Sequence, residues 1–290
     1  MADWVLAEPD WTAREQVHRR RVEEFLRPHL RRAQSGEAHP VWDFLFCYYS
    51  LRPGQLRAWH PGYGVVLGGP AARRYLSRTG YGRHPAGVTV TDEHLRCRAD
   101  TVRFIADLLQ ATAGRQAALN CFGLHEWAMV YRAPRVRHEG VPLRLGAVAT
   151  DAVVESMPLR CSHFDAFRFF TEPAALRNAG TPSRGDQSGW EQPGCLHANM
   201  DLYKWCYKMG PLIESELLVD CLELAADARE LDMRASPYDL TAYGFAPITI
   251  EESAGRAEYV RCQRVVSERA APLRQALQAR CDLLLRSVSS

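Results

Sequence analysis

The chain has no run of about 18 apolar residues, and Met1 to Pro9 carries no apolar stretch behind a positive start. A membrane span and a secretory leader are therefore not expected. Its nine cysteines (47, 97, 121, 161, 195, 206, 221, 262 and 281) are odd in number and scattered, with no Cys-x-x-Cys pair. That pattern argues against a disulfide framework or a structural zinc site, and points to reduced thiols of a cytoplasmic protein, most of them small core residues. Neither sign of charge is in large excess: the formal net charge is +2, with 24% charged residues. A disordered chain or one that coats nucleic acid is thus not expected, and a nucleic-acid role would need a local basic face. Also absent are the Gly-x-x-x-x-Gly-Lys-Ser/Thr phosphate loop, the Gly-x-Gly-x-x-Gly fingerprint and the Gly-x-Ser-x-Gly elbow. P-loop nucleotide hydrolysis, Rossmann redox chemistry and a standard α/β-hydrolase are disfavoured accordingly.

What is present suits one large domain: 290 residues, 47% of them hydrophobic. The fold class expected is mainly α, a single helical domain with a small β hairpin or strand pair and long active-site loops. The helical core should span about 10–131 and 161–288, with a small β-prone insert at about 132–160. Thr12 with Glu15 reads as a capping box opening a helix to about Arg32. Its polar face carries Arg14, Arg19, Arg20, Arg21, Arg27, Arg31 and Arg32, either a solvated face or a phosphate-binding stripe. Residues 39–50 (HPVWDFLFCYYS) read as a buried helix, and residues 68–90 as an exposed connection with at most a short strand. Further helices are expected from Thr91 to about Thr112, over Cys121–Tyr131, Cys195–Met209 and Glu216–Arg234, and from about Gly255 to Val288 with a bend near Pro272. Residues 172–194 are expected to form a long loop without an element of its own, of the kind that often serves as a lid.

Three segments set histidine, carboxylate and aromatic residues in apolar surroundings: 121–131 (CFGLHEWAMVY), 161–170 (CSHFDAFRFF) and 192–205 (QPGCLHANMDLYKW). Burying such groups without partners costs several kcal/mol, so they should pair with one another or serve a common site. His197 and Asp201, at i and i+4, share one helix face, and Asp201 and Lys204, at i and i+3, can form an ion pair. In a metal reading His125, His163 and His197 are imidazole ligands, joined by Glu126, Asp165 or Asp201, a mixture that suits iron, zinc or manganese. In a metal-free reading the same groups are acid and base, and Trp127, Phe164, Tyr203 and Trp205 offer flat surfaces to an aromatic or cationic ligand. Residues 232–240 (DMRASPYDL), with Arg234, Tyr238 and Asp239, leave a helix and could complete a pocket.

The segments DFLFCYYSLRPGQL (43–56), WHPGYGVVL (59–67), CFGLHEWAMVYR (121–132), CSHFDAFRFFTEP (161–173), QPGCLHANMDLYK (192–204) and LDMRASPYDL (231–240) resemble a family of actinobacterial proteins catalogued as 3-methyladenine DNA glycosylases. The resemblance covers nearly the whole chain. It implies a DNA-repair hydrolase that removes alkylated purines from DNA containing damaged bases, without a cofactor. Such chemistry needs aromatics to stack the flipped base and a carboxylate to stabilise the sugar oxocarbenium or activate water. On this reading Asp165, Asp201 and Glu126, with His125, His163 and His197, are the catalytic candidates. Trp127, Phe164, Tyr203, Lys204, Arg234, Tyr238 and Asp239 are the substrate-binding ones. The sequence has no helix-hairpin-helix turn of the Leu-Pro-Gly-Val-Gly type. The alternative is a helical non-haem metalloenzyme, an oxygenase or hydrolase of a small molecule or modified nucleoside, with His125, His163 and His197 as ligands. A third reading is a protein that only binds such a ligand.

Overall fold

The computed structural model describes residues 4–134, 136 and 140–288. Strand β1 (Trp4–Leu6) leads directly into α1 (Glu8–Ser35). Pro9 sits in the first turn, where its missing N–H costs nothing, and starts the helix ahead of Thr12. The Thr12 hydroxyl therefore donates to the Glu8 carbonyl at 2.7 Å instead of capping. Gly36, at φ 72°, closes the helix in the left-handed conformation.

The aromatic segment that follows is a chain of turns around α2 (Phe44–Cys47) rather than one buried helix. Its side chains compete for the backbone: Asp43 accepts the N–H of His39 at 2.7 Å, and His39 Nδ1 accepts those of Val41 and Trp42. After α3 (Pro53–Leu56) come β2 (Val65–Leu67), a 3₁₀ stretch over Pro70–Ser77, β3 (Tyr81–His84) and β4 (Gly87–Val90). The sheet order is β1-β2-β4-β3; β1 and β2 pair in parallel, Trp4 opposite Val65, and the other pairs are antiparallel. At Gly87 the strands run so close that a Cβ would lie 2.0 Å from the Leu67 carbonyl oxygen, so this turn position requires glycine.

The hairpin thus lies in the stretch expected to be a connection. Conversely, the β-prone insert at 132–160 holds α6 (Gly146–Ser156), and among its described residues only isolated bridges, Leu143 to Tyr238 and Leu159 to Asn178, mark its flanks. Thr150, Val153 and Val154 are buried at i, i+3 and i+4, a helical face that outweighs their β-branched preference. Positions 135 and 137–139 of that insert lie outside the described residues.

Helix α4 (Asp92–Ala113) begins as expected, with Thr91 Oγ1 accepting the His94 N–H at 3.2 Å. Short helices α5 (Leu124–Ala128), α7 (Phe164–Phe167), α8 (Glu172–Ala175) and α9 (Gln187–Trp190) precede the long α10 (Leu196–Met209), α11 (Ser215–Arg234) and α12 (Ser253–Val288). Helix α10 packs on α11, α12 and α4, and twelve of its fourteen residues are buried. A helix enclosed on every side must be apolar all round or have its polar groups paired. Helix α10 pairs Asn199, Asp201 and Lys204 and leaves His197 at a cavity, which sets the site. Among the described residues no helix is long and apolar enough to cross a membrane. All nine cysteines are free thiols.

Candidate functional site

Helix α5 enters through two successive left-handed residues, Phe122 at φ 48° and Gly123 at φ 72°. For phenylalanine this conformation is costly, about 1–3 kcal/mol, and it persists because the surroundings hold it. The turn swings His125 toward Asp232 on α11, with Nε2 2.6 Å from Asp232 Oδ1. It also aims Glu126 at Arg229, whose Nη1 donates to Glu126 Oε1 at 2.8 Å and to Asp232 Oδ2 at 3.0 Å. All four side chains are buried, and the Arg229 guanidinium lies 4.1 Å from the Phe44 ring centre.

From α10, His197 meets His125 edge to face, ring centres 4.6 Å apart at 81°, and stacks on His163 at 5.3 Å. The three histidines expected to converge do so. They are not equivalent. His163 Nε2 faces Asp201 Oδ2 at 3.2 Å and Glu191 Oε1 at 3.6 Å. Among the described residues the ring nitrogens of His197 meet no hydrogen-bond partner, and the side chain, largely buried, faces a cavity. One turn further along α10, Lys204 bonds Asp201 and reaches Asp165 Oδ2 at 3.0 Å, and Tyr49 donates to Asp201 Oδ1 at 3.2 Å.

These contacts set the protonation states. Burial works against the charged form of His125, but the Asp232 carboxylate overrides it and holds the imidazole pKa well above the ordinary value. Burial and the neighbouring His125 both push His197 well below the ordinary histidine range, so it is neutral at physiological pH. Burial would raise Asp201 and Asp232, yet Lys204 and His163 hold the first, and chiefly His125 the second, well below the usual carboxylate range. Asp165 is lowered in the same way, Lys204 outweighing its partial burial. Burial raises Glu191.

A cavity of about 600 Å³ opens above this cluster. Phe44, Tyr48, Phe169, His39 and Tyr243 supply rings to its wall, and His197, Glu126, Arg229 and Asp165 supply polar groups. Its size falls within the range of small-molecule sites. The chain matches no protein-family model, no curated protein and no solved structure. What the site can do must be argued from its own chemistry.

Of the residues expected to act, Glu126, Asp165 and His197 border the cavity, while His125, His163 and Asp201 lie behind it. Of those expected to bind substrate, none is on its wall. Trp127 is fully buried and donates to the Ala235 carbonyl at 2.8 Å. Tyr203 packs edge-on against Tyr49, and Trp205 packs with Phe104. The guanidinium of Arg184 lies over Phe164, and Lys204 is spent on two carboxylates. Arg234 donates to the Ala246 carbonyl, Tyr238 belongs to a small apolar cluster with Val41 and Met233, and Asp239 accepts from Thr241. Sequence reasoning missed Arg229, and it read Asp232 only as part of a helix end that could complete a pocket. The signal was there: Ala225, Ala228 and Asp232 continue one stripe of α11, and a carboxylate on an apolar stripe requires a buried partner. The aromatic wall from 39–48 was legible only as a hydrophobic run.

Proposed function

We propose that the chain is an N-glycosylic hydrolase that takes a cationic alkylated purine into the 600 Å³ cavity, a base-lesion DNA glycosylase in its fullest form. The observation that carries this reading is the pairing of an aromatic wall with an ionised carboxylate at one cavity. A methylated purine is flat and positively charged, so it gains from both ring stacking and cation–π attraction to Phe44, Tyr48 and Phe169. Asp165, kept ionised by Lys204 at 3.0 Å, is a stabiliser of the positive charge that builds on the sugar as the bond breaks.

Water adds to the anomeric carbon as the carbon–nitrogen bond cleaves. The bonding electrons quench the positive charge of the base, which leaves neutral and needs no general acid. The proton lost by water requires an acceptor, and neutral His197 at the cavity is positioned for that role. Arg168 and Arg184, both exposed beside Asp165 at 3.1 and 3.9 Å, would meet the phosphates of a DNA strand. The arginines of α1 contribute less than their number implies. Arg14, Arg21 and Arg32 are tied to Glu216, to Asp220 and Glu223, and to Asp43, leaving Arg19, Arg20, Arg27 and Arg31 exposed.

The test is release of free 3-methyladenine from methylated duplex DNA under single-turnover conditions, read by mass spectrometry. The wild-type protein should release the base, and Asp165→Asn should slow release by about 100-fold or more with DNA binding retained. No release by the wild type, or an undiminished rate in the variant, sinks the reading.

A further inference from the structure

The distinct environment of His197 carries an inference that does not depend on the glycosylic reading. Among the polar side chains buried around it, Lys204, Arg229, Asp201, Asp232 and His163 each engage a partner of opposite charge. His197 engages none and borders the cavity, so its ring is open to a ligand from that side. Its neighbours supply what such a ligand would need. One nitrogen each from His125 and His197 and one carboxylate oxygen of Asp232 lie within 4.8 Å of one another, and all three residues are buried.

We propose that His125, His197 and Asp232 form a binding site for one divalent transition-metal cation of borderline softness, with zinc and ferrous iron as the fitting members. Two imidazoles and one carboxylate are the donor set such ions favour, whereas calcium and magnesium demand mainly oxygen ligands. The rings stand at 81° to each other, so they approach a shared point from different directions instead of stacking past it. Each ligand comes from a different helix, α5, α10 or α11, and Phe122 and Gly123 fix the entry of the first.

The surrounding shell is also suited to it. Arg229 bonds the second Asp232 oxygen at 3.0 Å, orienting the carboxylate as outer partners of metal ligands do. The cation would replace the proton that His125 and Asp232 hold between them. Three protein ligands leave a coordination position open, and His197 borders the cavity. The set differs from three histidines because His163 is committed to Asp201 and Glu191.

The full chain, purified without a histidine tag and stripped with chelator, would be titrated with Zn²⁺, with Fe²⁺ under anaerobic conditions, and with Mn²⁺ as the weaker comparison. Calorimetry and elemental analysis would read the result. One equivalent should bind, with a Kd below about 1 μM for zinc. Cobalt should give the intense visible bands of a low-coordinate site. His197→Gln should weaken zinc at least about 100-fold, and because His197 has no hydrogen-bond partner to lose, the metal-free variant should stay folded by circular dichroism. Asp232→Asn is a second variant of similar shape, and His163→Gln should leave the affinity unchanged. Binding of less than about a tenth of an equivalent at micromolar zinc overturns the proposal. So does binding that survives both ligand variants, or that is lost equally in His163→Gln. Because the readout is the metal itself, and a bound metal would occupy the His197 nitrogen that accepts the proton, base release is assayed on the metal-stripped protein; one that binds zinc but, stripped, releases no base fails only the glycosylic reading.

Discussion

Replacing Arg229 with methionine tests whether the cluster beneath the cavity is held by charge pairing. Arg229 is 1% exposed and serves Glu126 at 2.8 Å and Asp232 at 3.0 Å. Methionine fills much of the same volume, so packing loss is small and the main effect is electrostatic. Asp232 retains His125, whereas Glu126 loses the arginine that pairs it. Stranding a buried carboxylate costs about 3–5 kcal/mol, which in a chain of this size lowers the melting temperature by roughly 5–8 °C. The pH dependence fixes the cause. Burial raises the pKa of Asp232, but His125, with Arg229 among the smaller contributors, holds it below the ordinary value. Its contribution to stability is therefore present above the unfolded carboxylate pKa of about 3.9 and is lost as pH falls through the lower folded value. In the variant Asp232 loses part of what holds its pKa down and takes its proton at higher pH, which relieves part of the penalty. The gap between wild type and variant should be widest near neutrality and narrow toward pH 4, a range that urea unfolding at several pH values can follow. A melting temperature within about 3 °C of wild type at neutral pH would refute the account. A pH-independent loss would refute it too, by pointing to packing instead of charge.

Two further outcomes follow from the same geometry. Because His197 must be neutral to accept a proton and its pKa lies well below the ordinary value, base release should stay level as pH falls through about 6.5. It should decline only at lower pH; a half-maximal point at an ordinary histidine pKa would argue against that role. Lys204→Met leaves Asp201 with only Tyr49 and His163 and weakens the hold on Asp165, which should cost about 3 kcal/mol by urea unfolding. Adding Asp201→Asn should recover part of the loss; additive losses in the double variant would contradict direct coupling between the two.

The sequence's legibility followed the range of the interactions involved. Helix α4 was readable because Thr91, the acids after it and its apolar stripe all act within a few residues. The meeting of His125, His163 and His197 was inferable from the cost of burying polar groups, without knowing which partner each would take. The hairpin at 81–90 was not readable, because a glycine-rich, arginine-rich stretch becomes strand only when β2 presents its edge to β4. Residues 146–156 misled in the opposite sense, since valines suit strands until a helical face finds a core. At the site, Trp127 and Tyr203 read as ligand surfaces through proximity to the acids along the chain. The structure turns them inward, and the cavity takes its rings from Phe44, Tyr48 and Phe169 instead.

The left-handed turn at Phe122 and Gly123 has a consequence for the order of assembly. It aims His125 at a partner 107 residues away and Glu126 at one 103 residues away, while Tyr49 reaches Asp201 across 152. No local fragment can hold these charges dry. The loop-closure entropy must be met first, and until then the carboxylates remain hydrated. The cavity floor should therefore appear late and all at once, making occupancy of this site a reporter of the last cooperative step in folding.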